Sequence, residues 1–233
     1  MKAIVIAAGI GRRLKNHTAD LPKCLVEVAG KPILRHQVEA FRAEGVSRIA
    51  VVRGYLARRI AYEDLVYYEN RDFLVNNILE SLFCAEAEMD GPFLSTYADI
   101  LFDRSVVRAV LDGPGDICLV VDRQWDQAYD GRTDHPVAEA ELTEVDAEGR
   151  VLRVGKCVGP EHAIGEFIGL ARYSAAGAAL MRQVYGELRE RYRTRPDEPF
   201  QAAPSLRKAY LTDLFQELIA RGAEIRYAPI DGH

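Results

Sequence analysis

The feature that most limits what this chain can become lies in its first residues, Lys2-Ala3-Ile4-Val5-Ile6-Ala7-Ala8-Gly9-Ile10-Gly11-Arg12-Arg13-Leu14, with Leu21-Pro22-Lys23 close behind. A short apolar strand runs straight into a glycine-bearing turn, and two arginines and a lysine follow. Glycines at a strand's end let backbone N–H groups converge on a phosphate, because no Cβ blocks the approach. Arg13 and Lys23 add positive charge where a triphosphate would sit. The stretch reads as a phosphate grip at the start of an α/β domain. Two familiar phosphate loops are set aside. The dinucleotide fingerprint needs a third glycine where this chain has Leu14, and the P-loop's Gly-Lys-Ser/Thr triplet is absent here. A glycine turn after a strand is also a common structural device, so its meaning depends on what stands beside it.

Strand-like and helix-like segments alternate along the first half. Strands are expected at 3–6, 48–52, 65–68, 92–96 and 116–121, and helices at 32–44, 54–60, 76–87 and 104–111. Apolar strands in this order predict a largely parallel sheet covered on both faces. After Val121 the pattern changes. Strands at 138–145 and 151–154, joined by Asp146-Ala147-Glu148-Gly149-Arg150, read as a β-hairpin. A further strand spans 165–173. Ser174 caps a helix to about Tyr192, a helix covers 211–221, and a last strand covers 224–228. The proline-rich stretch 194–208 reads as a loop or flap with the reach to meet a neighbouring subunit. Monomer and homodimer both stay open.

The chain has 233 residues and a net charge of −5. With no basic excess, a dedicated nucleic-acid partner is not expected, although a local positive pocket is compatible with that charge. The four cysteines, Cys24, Cys84, Cys118 and Cys157, form no Cys-x-x-Cys pair and read as free buried thiols of a reducing compartment. The chain enters a strand at once, so no signal peptide is expected. No apolar run approaches the roughly 18 residues that span a bilayer. A cytoplasmic protein without a membrane partner follows.

The pattern Ala7-Ala8-Gly9-x-Gly11-x-Arg13-Leu14 followed by Leu21-Pro22-Lys23 resembles the signature of the nucleotidyltransferases that include sugar-1-phosphate pyrophosphorylases. Arg71-Asp72-Phe73-Leu74-Val75-Asn76-Asn77-Ile78-Leu79-Glu80-Ser81-Leu82 is similar to the phosphocholine and phosphonate cytidylyltransferase branch. The resemblance implies a Rossmann-like, mainly parallel mixed sheet flanked by helices, with a small β-hairpin appendage for the acceptor. It implies a single nucleotidyltransferase domain over 1–233, with 1–122 taking the nucleotide and 123–233 the acceptor. The substrates implied are CTP and a small anionic acceptor.

Residue roles come from the same resemblance. Ala7, Ala8, Gly9, Ile10, Gly11, Arg12 and Ala98 would surround the nucleotide, with Lys23 and Arg13 catalytic. Asp99, at the end of the fourth strand, would hold Mg²⁺, although it equally suits a turn cap. The branch usually has Gly-Asp where this chain has Ala98-Asp99. Asn76 suits a helix cap, while Asn77 and Ser81 would read the pyrimidine edge, for which an amide offers donor and acceptor together. Lys156 would hold the acceptor's phosphoryl group. Glu166 would hold its other end or position Lys156, and Asp213 would border the acceptor pocket or simply sit in a helical first turn. Trp125, Tyr129, Arg132 and His135 fit either an aromatic cage or a flap. The family typically carries a second metal aspartate after its last strand. Here the sequence shown reaches Ile230-Asp231-Gly232-His233, and Asp231 is not assigned that role.

Three activities compete on these residues. The first is cytidylyl transfer to a small phosphonate or phosphomonoester. The second is UTP- or GTP-dependent transfer to a sugar 1-phosphate, against which Asn76-Asn77 counts. The third is a non-catalytic nucleotide-binding module. A dinucleotide oxidoreductase is disfavoured by Leu14.

Overall fold

A computed structural model describes residues 1–11, 20–129, 131–132 and 136–232. In chain order the elements are β1 (Lys2–Ala7), β2 (Glu27–Val28), β3 (Lys31–Pro32), α1 (Ile33–Ala43), β4 (Arg48–Arg53) and β5 (Val66–Glu69). They continue with α2 (Ile78–Phe83), β6 (Phe93–Tyr97), α3 (Arg104–Leu111), β7 (Ile117–Asp122), β8 (Leu142–Val145) and β9 (Val151–Gly155). The chain closes with β10 (Gly165–Tyr173), α4 (Ala175–Tyr192), α5 (Leu211–Ala220) and β11 (Ile225–Ile230).

The main sheet runs β11-β7-β10-β6-β1-β4-β5, and the β8–β9 hairpin joins it through β10. The strands β5, β4, β1 and β6 pair parallel, as do β7 and β11, while β10 runs antiparallel to β6, β7 and β8. This is the mainly parallel mixed sheet with a hairpin appendage that the sequence implies. The unbroken apolar run of β1 has a simple cause. Ile4 and Ile6 point into one core with α4 and α5, whereas Ala3, Val5 and Ala7 point into a second core with α1 and α3. Both faces are covered, so both must be apolar.

Helix starts follow local chemistry. Ser174 accepts a hydrogen bond from the Gly177 N–H to cap α4, and Asp103 accepts one from the Ser105 N–H to cap α3. Inside α1, the buried Gln37 donates to the carbonyls of Tyr97 and Ile100, both at 2.8 Å. That amide pins the loop that leaves β6. In β10, Gly169 has φ +90° and the pairing with β7 slips between Phe167 and Ala171. A Cβ at Gly169 would lie 2.3 Å from the Tyr97 ring, so the glycine is what seats that ring.

Several expected boundaries need correction. The strand expected from 138 begins only at Leu142, and Val137–Glu139 forms a 3-10 turn after Pro136. The helix expected over 76–87 is split into α2 and a 3-10 turn at Glu86–Glu88. The segment 54–60 holds only a 3-10 turn at Ala57–Arg59. The proline-rich stretch is not an open flap, because Phe200, Ala203 and Leu206 are buried in the core and Tyr192 donates to the Pro199 carbonyl. The cysteines are free, but only Cys24 and Cys118 are buried, and Cys157 is exposed. No described helix is long and apolar enough to cross a membrane.

Candidate active site

A cleft of about 1060 Å³ opens along the carboxyl ends of β1 and β6 and the beginning of β10. Its first end is built by the glycine turn and the loop after β6. Ala7, Ala8, Gly9 and Gly11 line it together with Lys23, Ala98 and Asp99, whereas Ile10 is not among the lining residues. The turn is braced from behind. Gly54 packs so closely that a Cβ there would lie 2.6 Å from the Ala8 carbonyl oxygen, which accepts from the Tyr55 N–H at 3.0 Å. Lys23 opens a 3-10 turn after Pro22, and its ammonium forms an ion pair with the Asp99 carboxylate. Beside it, burial pushes the Cys24 thiol up to about 12. Arg12, Arg13 and His135 lie outside the described residues.

The Asn-Asn element also reaches the cleft, but not as the sequence suggests. Asn76 does not cap α2. Its amide exchanges two hydrogen bonds with Asn70, at 2.8 and 3.0 Å, and Asn70 also donates to the Ser81 hydroxyl at 2.8 Å. Asn77 occupies the cap position without a side-chain cap and donates to the Lys208 carbonyl at 2.9 Å. Asn76, Asn77 and Ser81 still line the cleft. Asn70 was not singled out in the sequence. The only hint it gives there is an amide directly after a strand.

The second end is built by the hairpin, β10 and α5. Lys156, immediately after β9, bonds Glu139 at 2.5 Å and the Tyr210 hydroxyl at 3.4 Å, and sits 4.5 Å from the Tyr210 ring centroid. Burial works against its charge, but the bonds to Glu139 and Tyr210 hold its pKa above the ordinary lysine value. The partner of Lys156 is therefore Glu139 rather than Glu166. Glu166 instead accepts from the Tyr129 hydroxyl at 2.6 Å, and burial together with that carboxylate raises the Tyr129 pKa. Trp125 and Tyr129 meet edge to face at 5.5 Å, and Arg132 lies 5.4 Å from the Tyr129 ring. The two rings pack against each other rather than forming two walls of an open cage.

Asp213 is the correction at this end. It is buried and absent from the cleft lining, and its carboxylate accepts from the Tyr210 and Ala202 N–H groups at 2.7 and 3.1 Å. It caps α5 and ties down the preceding loop. The sequence reading also missed Glu141, which lines the cleft with Tyr97, because nothing in its local pattern marks it. Asp231, meanwhile, is gripped by Arg123 through bonds of 2.9 and 2.7 Å.

Among the described residues no group of three or more His, Cys, Asp or Glu side chains could hold a metal ion. A lone strand-end carboxylate, Asp99, fits a cation of the magnesium type, which takes one or two carboxylates and fills its remaining positions with phosphate oxygens and water.

Comparison with known proteins agrees with this architecture. Residues 3–197 match the MobA-like NTP transferase domain, and the chain belongs to that nucleotidyltransferase family. A CTP:phosphoglutamine cytidylyltransferase from Campylobacter jejuni is 28% identical over 246 aligned positions, covering 100% of this chain and 94% of its own. A 2-aminoethylphosphonate cytidylyltransferase from Lancefieldella rimae is 28% identical over 183, covering 76% of this chain and 68% of its own. The solved inositol-1-phosphate CTP transferase from T. maritima superposes with a TM-score of 0.72 at 21% identity, over 98% of this chain and 84% of that one.

Proposed function

We propose that the protein transfers the cytidylyl group of CTP to a small phosphonate or phosphomonoester and releases pyrophosphate. The observation that carries this reading is one continuous cleft with Lys23 and Asp99 at one end and Lys156 at the other. Residues 1–122 take the nucleotide and 123–233 the acceptor. The full-length similarity to a cytidylyltransferase supports CTP as the nucleotide. The same reading places the protein in the cytoplasm, alongside that substrate.

The acceptor's phosphoryl oxygen is already an anion near neutral pH, so the attack needs no general base. The task is to hold two anions in line and offset their repulsion. In this scheme the glycine turn cradles the phosphates through its N–H groups, and the charges of Lys23 and Arg13 would offset negative charge at the α-phosphorus and on the leaving pyrophosphate. Lys156 fixes the acceptor's phosphoryl group. Asp99 would hold Mg²⁺, which when bound supplies positive charge to the phosphate oxygens. Asn77 and Ser81, which line the cleft, would read the pyrimidine edge.

Pyrophosphate release with Mg²⁺, each nucleoside triphosphate in turn, and a panel of phosphonates, phosphocholine and sugar 1-phosphates tests the proposal. Release that requires CTP and a small phosphonate or phosphomonoester supports it. Release with UTP or GTP and a sugar phosphate, or nucleotide binding without release, overturns it.

A further inference from the structure

Behind the cleft wall formed by Asn76, Asn77 and Ser81 stands a buried amide with every hydrogen-bonding position in use. Asn70 is 3% exposed and directly follows β5. Its own N–H donates to the Arg53 carbonyl at the end of β4 at 2.8 Å, so the sheet fixes where the residue stands. The Asp72 N–H donates to the Asn70 Oδ1 at 3.0 Å. A backbone N–H only donates, so this bond fixes which way the amide faces. Oδ1 also accepts from the Asn76 Nδ2 at 3.0 Å. Nδ2 donates to the Asn76 Oδ1 and to the Ser81 hydroxyl oxygen, both at 2.8 Å. Two hydrogens and two lone pairs are all that a side-chain amide has.

The polarity set there passes outward. Asn70 stands behind the cleft, whereas Asn76 and Ser81 line it. With Oδ1 committed, Asn70 meets Ser81 as a donor. The Ser81 hydrogen therefore points elsewhere, to the Asn77 carbonyl at 3.2 Å. A hydroxyl has one hydrogen and two lone pairs. The hydrogen goes to Asn77 and one lone pair to Asn70, which leaves one lone pair for a ligand. Toward the cleft Ser81 is an acceptor and not a donor. Making it a donor would take its hydrogen off the Asn77 carbonyl and set two oxygens face to face. An acceptor of this kind separates the two pyrimidines at one position. Carbon 4 of cytosine carries an amino group, which donates, and carbon 4 of uracil carries an oxygen, which only accepts.

We infer that Asn70 is a positioning residue for base selection. It holds Ser81 in the orientation that accepts from an amino-bearing pyrimidine and opposes a keto oxygen, without touching the nucleotide itself. The inference rests on the proposed use of CTP in this cleft, and it assigns the discrimination to an amide behind the lining.

Calorimetric titration with CTP, UTP and inorganic triphosphate, each with Mg²⁺ and without an acceptor, tests it. The proteins are the wild type, Asn70→Ala, Ser81→Ala and the double variant. Inorganic triphosphate reads the phosphate grip alone. The wild type is expected to bind CTP on the order of tenfold more tightly than UTP, the scale of one hydrogen bond made against one unmatched. In each single variant that ratio should fall toward one while triphosphate affinity stays unchanged. The double variant should fall no further than either single one, because both changes remove the same link. Ser81→Thr, which keeps the hydroxyl, should keep the preference. Where Asn70→Ala does not fold by circular dichroism, Asn70→Ser takes its place with the same expected loss, since its hydroxyl is too short to reach Ser81.

A wild type without a preference for CTP overturns the inference, as does a ratio unchanged in the Asn70 variant or in Ser81→Ala. Equal losses for CTP, UTP and triphosphate overturn it too, because they mark general damage to the site. Additive losses in the double variant also overturn it, since Asn70 would then act apart from Ser81. Loss of the ratio in these variants, with no cytidylyl transfer to any acceptor, upholds it while refuting the proposed activity. Transfer from CTP with a ratio untouched by the Asn70 change does the reverse.

Discussion

Glu141→Gln should stabilise the protein at pH 8 and change it little near pH 5. Burial raises the folded-state pKa of Glu141 from its ordinary 4.5 to about 7. Between those values the unfolded chain has lost the proton that the folded protein still keeps, so stability falls as pH rises. Each pH unit in that interval costs ~1.4 kcal/mol, which sets the full penalty at about 3 kcal/mol above pH 7. The penalty is absent below about pH 4.5. Glutamine keeps the shape and an oxygen for the Tyr97 and Thr212 hydroxyls but never ionises, so it escapes the penalty. Urea unfolding of both proteins at pH 5 and pH 8 reads the effect directly. The gap in unfolding free energy should widen by about 2–3 kcal/mol from the lower pH to the higher. An equal gap at the two pH values would refute the assignment of Glu141 as a buried, uncompensated carboxyl.

Lys23→Ala should lower turnover on the order of 10²–10³ with the fold intact by circular dichroism, and near-normal turnover would remove Lys23 from the chemistry. Gly169→Ala places a Cβ against the Tyr97 ring at a φ of +90°. It should cost about 1–3 kcal/mol in thermal or urea unfolding and weaken acceptor binding, and an unchanged melting temperature would contradict that packing. Asp213→Ala should cost about 1–2 kcal/mol through loss of the α5 cap, whereas a change confined to acceptor KM would restore Asp213 to the acceptor pocket.

The sheet was legible because its signals are local. Residues Ala3–Ile6, Arg48–Val52 and Gly165–Tyr173 each combine an apolar run with a turn residue or charge at its ends, and each proved a strand within a residue or so. The glycine turn and Lys23 were legible for the same reason, since backbone access and charge are written into one short stretch. The second end of the cleft was legible only in part, since Lys156, Glu166, Tyr129 and Arg132 were singled out and line it, but the contacts within it were not. Glu139 pairs with Lys156 across 17 residues, Tyr97 with Glu141 across 44, and Thr212 with Glu141 across 71. No periodicity links such positions, and only the β8–β9 hairpin, the packing of α5 on β9 and the pairing of β10 with β6 and β8 bring them together. Asp213 illustrates the opposite error. A carboxylate three residues into a helix satisfies N–H groups at that helix's own start, a role that its sequence position had already offered.

The placement of β10 has a mechanical consequence. Residues Leu170–Tyr173 pair with β6, which leads into Asp99, and Gly165–Glu166 pair with β8, which begins just after Glu141. Both ends of the cleft therefore hang from a single rib. Adjacent strands in a ladder stay about 4.8 Å apart, so this one strand sets how the two ends of the cleft sit relative to each other. Between those two stretches β10 carries its irregularity, with Gly169 at φ +90° and the register against β7 shifting between Phe167 and Ala171. A change in the spacing of the two ends would have to be transmitted through that strand.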